Sequence, residues 1–464
     1  MVHSRWRKLA YSAGSLSAAV SYQAFSAYLF YFYVQVCALP IPLYSLGFAI
    51  YGIWNAINDP LFGYISDRTR TKWGRRIPYV VFGNIPLMLS FMLVWAPYVE
   101  HINSTLLSFS LFGSEVKLLG LPLDLFLYFV IIGSLFDTFY TMVILAWTAL
   151  FPEMFTDLKE RTEVNAYRQL FSVIGLILGL ALPLTLVKLL GSWWMMGVLL
   201  GLVTGAGVFL SLLGSKETKV FAMEEPLGVM EAFKFTLKNR SFLTFVLANL
   251  MIQYIFLIEV QQIPIFMAFA VGAGEYETSL FLLAVFVMVV VGLPIWKKII
   301  DTKGPRFATM VSFAAFGFVL APLLVISDYT TLLAFSPVLG IALCGPMIVI
   351  DILISDVIDE DEVRTGKRRE GMYFGANALI MRLATVLVAA SVLILPIFGY
   401  IEGAPTQTAS AIFGIRLLIT VFPILAALAG ILIMKYYPLY GEYLDSIKEK
   451  IKQMHEEKLK KTAA

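Results

Sequence analysis

The residues of this chain best suited to chemistry sit where polar groups are costly. Trp54, Asn55, Ala56, Ile57, Asn58, Asp59 and Pro60 follow one another inside an otherwise apolar run, 43–66. Asn55 and Asp59 are four residues apart and share a helix face, so an amide oxygen and a carboxylate can converge on one small hard cation. The same carboxylate, taken out of water, would bind a proton more readily and carry that instead. Counted back from Asp67 at 1.5 Å per residue, Asp59 lies about 12 Å inside the helix end. The competing reading is an Asp that bonds a neighbouring helix purely for packing. Other apolar runs are interrupted by Asp137, by Glu259 with Gln261 and Gln262, and by Arg382 and Arg416. His3, His101 and His455 lie outside every such run, so neither a metal centre nor a histidine proton relay is expected.

The elements that position these residues follow from composition. Of 464 residues, 59% are hydrophobic and 14% charged, with a mean hydropathy of +0.80. Too little charge is present to cover a soluble surface of this length, so lipid is the solvent. A spanning helix needs about 20 mostly apolar residues, and twelve such runs can be marked: 9–37, 43–66, 78–98, 123–150, 163–190, 193–213, 241–269, 278–300, 307–327, 331–356, 372–398 and 410–436. None alternates apolar with polar, as a barrel strand would. No cleavable leader is expected, because residues 1–8 are polar and basic and the run that follows is too long for a signal core. Cys37 and Cys344 allow one pair at most.

Basic residues sort by loop. The N-terminus, the even-numbered connections and the tail hold nearly all of the 35 Lys and Arg, whereas the opposite loops hold Lys117 and Lys188. That asymmetry puts both termini in the cytoplasm. The chain also looks duplicated: Gly63, Asp67, Arg68, Gly74, Arg75 and Arg76 follow the second run, and Asp301, Gly304 and Arg306 follow the eighth. Two related six-helix halves imply an all-α membrane protein of major facilitator architecture. The expected parts are an N-terminal half 1–214, a linker 215–240, a C-terminal half 241–436 and a tail 437–464. Within the linker, 226–238 can form a surface helix. The loop 100–122 reads as a hairpin or interfacial segment, and 440–461 as a charged helix.

The Asn55–Asp59 segment, with Gly63 and the run Trp73, Gly74, Arg75, Arg76, Ile77, Pro78, resembles the glycoside–pentoside–hexuronide:cation symporter family. Asp356, Asp359 and Glu362, followed by Gly366, Arg368, Arg369, Glu370 and Gly371, give a second match. Arg161, Arg168 and Gly175 give a third, so the resemblance covers nearly the whole chain. It implies symport of a sugar or glycoside with H+ or Na+ and no cofactor. It places the cation ligands at Asn55, Asn58, Asp59 and Thr141. The family has an aspartate where this chain has Asn55, so one negative charge is missing. Asp137, one turn from Thr141, is the candidate replacement; an interhelical hydrogen bond is its other reading. A less negative site holds Na+ more weakly, which favours H+.

The family's sugar contacts are less well kept. Its first-span Lys–Asp pair falls on Ala18 and Ala19, its fourth-span Asp on Ile144, and its Trp on Thr148 beside Trp147. Basic residues persist as Arg168 and Arg382. Tyr22, Trp147, Thr148, Arg168, Glu259 and Arg382 are therefore the candidate substrate residues, with ordinary packing as the other reading of Trp147. Arg168 and Arg382 have lost their family partners, so another anion should approach them. That anion is Asp137, Glu259, Glu153 or an acidic solute. Asp67, Arg68, Arg75, Arg76, Asp356, Asp359 and Glu362 lie at the cytoplasmic mouth, as an inner gate or as solvated turns.

Other classes fit less well. An integral membrane enzyme needs a nucleophile, base or metal cluster, and a channel does not need the buried Asp and Arg set. No nucleotide-binding motif is present, so an ion gradient drives transport. Within the transporter class the rival solute is lysophospholipid, since Ala18, Ala19 and Ile144 make the cavity more apolar. The expected partners are a small solute, the coupling cation and the lipid bilayer, with no nucleic acid and one chain as the working unit.

Overall fold

The computed structural model describes residues 4–96, 110–111, 114–115, 123–155, 158–217, 238–366 and 369–463. The expected helix at 226–238 therefore falls outside the described residues apart from Lys238. So does most of 100–122, where Ser110–Leu111 and Ser114–Glu115 pair as a minimal antiparallel ladder.

Each of the twelve apolar runs is helical. Helices α1 (Arg5–Phe30), α2 (Ile41–Arg68), α3 (Ile77–Val94), α4 (Leu123–Met154), α5 (Leu158–Ala181), α6 (Pro183–Leu190) and α7 (Trp193–Gly214) make the first half. The second has α8 (Arg240–Ile265), α9 (Glu275–Lys303), α10 (Pro305–Leu320), α11 (Tyr329–Thr365), α12 (Glu370–Met381), α13 (Leu383–Ser391), α14 (Ile394–Ile397) and α15 (Ala409–Lys435). The charged tail forms α16 (Gly441–Ala463). Among the described residues, ten helices are long and apolar enough to cross a membrane by length and composition. The remaining two spans, α1 and α2, are 26 and 28 residues long but carry more polar side chains.

Two runs are broken where the sequence suggested continuity. The fifth stops at Ala181, before Pro183 opens α6; proline has no N–H for the preceding turn and starts a helix more easily than it continues one. The eleventh is divided at Arg382 and again after Ser391. Helix α11 has 37 residues, about 55 Å at 1.5 Å each. It therefore outruns a hydrocarbon core of about 30 Å, and its acidic end projects beyond it. Asp328 caps its start by accepting from the Thr331 N–H at 2.8 Å, which holds that carboxyl below its ordinary range.

The serines of α1 explain how a polar helix survives among apolar ones. Ser12 and Ser21 return their hydroxyls to the carbonyls four residues back, and Ser17 donates to the Thr204 carbonyl of α7 at 2.7 Å. Small residues let the backbones approach: a Cβ on Gly175 of α5 would stand 2.7 Å from the Leu16 carbonyl oxygen.

The chain divides into two compact units. One comprises residues 1–226, 260–283 and 389–415; the other comprises 227–259, 284–388 and 416–464.

Candidate functional site

Helices α2 and α4 bring together the residues singled out as cation ligands, all within the first unit. Asn55, Asn58, Asp137 and Thr141 are buried, with Asn58 0% and Asp137 2% exposed. Asn58 donates its amide N–H to the Asp137 carboxylate at 3.0 Å and to the Asp137 carbonyl at 3.1 Å. Asn55 donates to the other carboxylate oxygen, which also accepts from the Tyr51 hydroxyl at 3.3 Å. Asp59, half-buried, accepts from Thr141 at 2.9 Å. The convergence of Asn55 with Asp59 is thus replaced by two linked groups, Asn55–Asn58–Asp137 and Asp59–Thr141.

The amide nitrogens face Asp137, so the amide oxygens face elsewhere. Oδ1 of Asn55 and Oδ1 of Asn58 are both buried with no hydrogen-bond partner among the described residues. An amide oxygen left so is costly and is a good ligand for a hard cation. Pro60 adds to this. Lacking an N–H, it cannot satisfy the Ala56 carbonyl one turn back. Trp54 steadies the wall by donating to Thr138 at 3.0 Å, and Thr138 donates to the Ser134 carbonyl at 2.7 Å.

Lower on α4, the structure separates Trp147 from Thr148. Thr148 is exposed. Trp147 is 2% exposed, stacks on Tyr11 at 5.1 Å between centroids and donates to the Tyr11 carbonyl at 3.2 Å. Its indole also lies where a Cβ on Gly14 would stand. A ring enclosed in this way is no platform for a sugar, and the packing reading of Trp147 prevails. What it carries is Arg168, whose guanidinium lies 4.9 Å from the Trp147 ring centre and 4.6 Å from that of Phe151. Glu153, a candidate partner for Arg168, instead binds Arg75 at 2.6 Å and Arg76 at 2.8 Å. No ion pair joins Arg168 to a carboxylate among the described residues, and its Nε is buried without a partner.

Tyr22 packs against Tyr140, 5.6 Å between ring centres, and Tyr140 donates to the Ala18 carbonyl at 3.3 Å. In the second unit, Glu259 is buried with Oε1 unpartnered among the described residues, and Arg382 is half-buried at the α12–α13 junction. Of the mouth residues, Asp356 pairs with Lys448 of α16 at 3.7 Å. Asp359 is half-buried, Glu362 buried and Arg68 exposed. Asp67 lies in the last turn of α2, its side chain outside the described residues.

Three participants escaped sequence reasoning. Tyr51, one turn before Asn55, was legible as a face-sharing polar group. Glu217 had no local signal: its carboxylate accepts from the N–H groups of Arg75 at 2.8 Å, Arg76 at 3.0 Å and Ile77 at 3.3 Å, capping α3. Phe151 pairs with Trp147 at i, i+4 to flank Arg168.

Comparison with known proteins places this geometry. The profile of the family described as MFS/sugar transport protein matches residues 10–441. The chain is 27% identical to the uncharacterized symporter sll1374 of Synechocystis over 93% of this chain and 94% of that one. It is 21% identical to the inner membrane symporter YicJ of Escherichia coli, covering 96% and 94%. It is also 21% identical to the sodium-dependent lysophosphatidylcholine symporter 1 of Gallus gallus, covering 97% and 89%. A crystal structure of a mutant of the nucleoside transporter NupG shares the fold, with a TM-score of 0.62 at 12% identity over 92% of this chain and 99% of that one. The protein is therefore a multi-pass membrane transporter rather than an enzyme, with the twelve-helix major facilitator fold, and it belongs to the MFS/sugar transport protein family of cation-coupled symporters.

Proposed function

We propose that the protein couples the movement of an acidic sugar or glycoside to Na+. One observation carries the ion. Asn55 and Asn58 both turn their amide nitrogens to Asp137, leaving two buried oxygens with no donor among the described residues, next to a carboxylate. A proton needs one carboxylate and leaves amide oxygens unserved; Na+ uses carboxylate, amide and hydroxyl oxygens together. Asn55, Asn58, Asp59, Asp137 and Thr141 form the set. The charge that position 55 lacks is supplied by Asp137, which removes the reason for preferring H+.

Arg168 supports the acidic solute. It is held on two aromatic rings and by no carboxylate among the described residues, and its planar fork suits a carboxylate or phosphate. In the first unit Thr148 and Tyr22 complete the solute contacts, with Trp147 orienting Arg168; Glu259 and Arg382 are the candidate contacts that the second unit contributes by itself. The Lys and Arg asymmetry supports cytoplasmic termini, and Asp67, Arg68, Arg75, Arg76, Asp356, Asp359 and Glu362 serve at that mouth. One chain is the working unit, built as halves 1–214 and 241–436 joined by 215–240, with the tail from 437.

A second reading is transport of a lysophospholipid. Ala18, Ala19 and Ile144 are apolar at positions where the family binds sugar, and a lipid phosphate would also meet Arg168. Counterflow in proteoliposomes separates the two, using melibiose, methyl glucuronide and lysophosphatidylcholine under imposed Na+ or H+ gradients. Na+-dependent uptake of the glucuronide is expected. Lipid uptake alone selects the second reading, and uptake indifferent to both gradients removes ion coupling.

A further inference from the structure

Within the first unit, two connections far apart in sequence are fastened at the end of the bundle away from the chain termini. Helix α1 continues as a π-helical turn, Tyr31–Val36, and reaches α2 through Cys37, Ala38, Leu39 and Pro40. Ala38 takes φ +55°, a conformation that costs an alanine energy. Against this turn lies the segment from Tyr400 to Ala404. Gln35 donates to the Ala404 carbonyl at 2.7 Å, and the Tyr400 hydroxyl donates to Gln35 at 2.6 Å. Burial holds the Tyr400 phenol well above its ordinary range, so it remains a donor throughout the physiological range. A Cβ on Gly403 would stand 2.9 Å from that of Ala38, so the two backbones meet where only glycine leaves room.

Glu402 makes the third link, and it is the informative one. Helix α2 begins after Pro40, which offers no side-chain cap, and the Glu402 carboxylate accepts from the Ile41 N–H at 3.0 Å. A helix start is electropositive and leaves N–H groups without partners, so the cap of α2 comes from 361 positions away. One turn further, Ser45 donates to the Ala389 carbonyl at 2.6 Å, and Gln261 donates to the Tyr44 hydroxyl at 2.9 Å. Asn55 lies fourteen residues along the same helix, about 21 Å from Ile41 at 1.5 Å per residue.

We infer that the Gln35–Tyr400–Glu402 clasp is the external gate, and that α2 joins it mechanically to the cation site. The links are a few polar contacts at helix ends, outside the hydrogen-bonded turns of the spans, so they can part without unfolding a span. The strained Ala38 turn favours release. When Glu402 leaves, α2 loses its cap, so the helix bearing Asn55, Asn58 and Asp59 registers the state of the gate. This inference rests on the ion-coupled symport and the cytoplasmic termini proposed above and adds which residues close the outer side.

Two cysteine labels test it without knowledge of the solute. Native Cys37, half-buried beside the clasp, reports the outer side to a membrane-impermeant maleimide. Thr148→Cys, at an exposed position on α4, reports the inner side in inverted vesicles. Gln35→Ala should raise Cys37 labelling about fivefold, the factor for one neutral hydrogen bond, and Glu402→Ala, which removes a charged acceptor, about tenfold or more; both should slow labelling of Thr148→Cys. Two outcomes overturn the gate: unchanged Cys37 labelling, or faster Cys37 labelling with Thr148→Cys unaffected, which is local loosening. A failed solute panel bears on the proposed function and leaves both labels readable.

Discussion

Asn58 on α2 grips Asp137 on α4 twice, through its carboxylate at 3.0 Å and its backbone carbonyl at 3.1 Å. The double contact fixes the register of the two helices where the polar groups are buried. It also sets the direction of both amides, since a carboxylate accepts and does not donate. Replacing Asp137 by Asn places amide groups against amide groups. Hydrogen bonds to a charged group are worth about 1.5–3 kcal/mol, so Asp137→Asn should raise the Na+ concentration for half-maximal uptake by about 10- to 100-fold. Uptake measured against Na+ at fixed pH and ionic strength reads this shift.

Asn55 and Asp137 also permit an exchange of roles. Asn55→Asp alone sets two carboxylates in hydrogen-bond contact, and Asp137→Asn alone removes the charge. The double variant, Asn55→Asp with Asp137→Asn, restores one of each, and Na+-driven accumulation should recover in part. Residues in contact deviate from additivity by about 0.5–3 kcal/mol. Strict additivity in this cycle would separate the two side chains functionally.

Arg168 should discriminate by solute charge. Arg168→Gln is expected to weaken an acidic solute at least tenfold while leaving its neutral counterpart nearly unchanged. Arg168→Lys should rescue poorly, because an ammonium lacks the planar fork that stacks on Trp147 and Phe151. Arg382→Gln provides the comparison in the second unit. Equal weakening of neutral and acidic solutes by both glutamine variants would remove the anion from the account.

Much of this protein was legible from its sequence, for physical reasons that also explain the rest. Lipid demands long apolar helices, so all twelve runs became helices. Their interruptions at Leu182 and Arg382 went unseen because hydropathy does not register a proline at a helix start or a turn at a half-buried arginine. Asp137 was visible as a turn away from Thr141. Its hold on Asn55 and Asn58 was not, because it depends on the register of α4 against α2, about eighty positions away. Trp147 reads from the sequence either as a stacking surface or as ordinary packing, and only the enclosure by Gly14 and Tyr11 decides for packing, because no local pattern shows which side of an aromatic ring is covered. The Glu402 cap on α2 lies further still beyond any local signal.

Glu217 predicts a cost in stability. Its carboxylate caps three N–H groups at the start of α3, and a lost helix cap costs about 0.5–2 kcal/mol. Glu217→Ala should lower the unfolding temperature in detergent, while Glu217→Gln, which keeps an acceptor oxygen, should lower it less. Equal effects from the two variants would mean that charge, rather than the cap, matters there.

The most direct test is equilibrium binding of radioactive sodium to the purified protein, with no solute present, at constant ionic strength and pH. Saturable binding of one ion per chain is expected in the wild type, strongly weakened in Asp59→Asn and Asp137→Asn and partly regained in the Asn55→Asp, Asp137→Asn double variant. Wild-type protein that binds no sodium while proton-driven transport persists, or Asp137→Asn that binds sodium as tightly as the wild type, would contradict it.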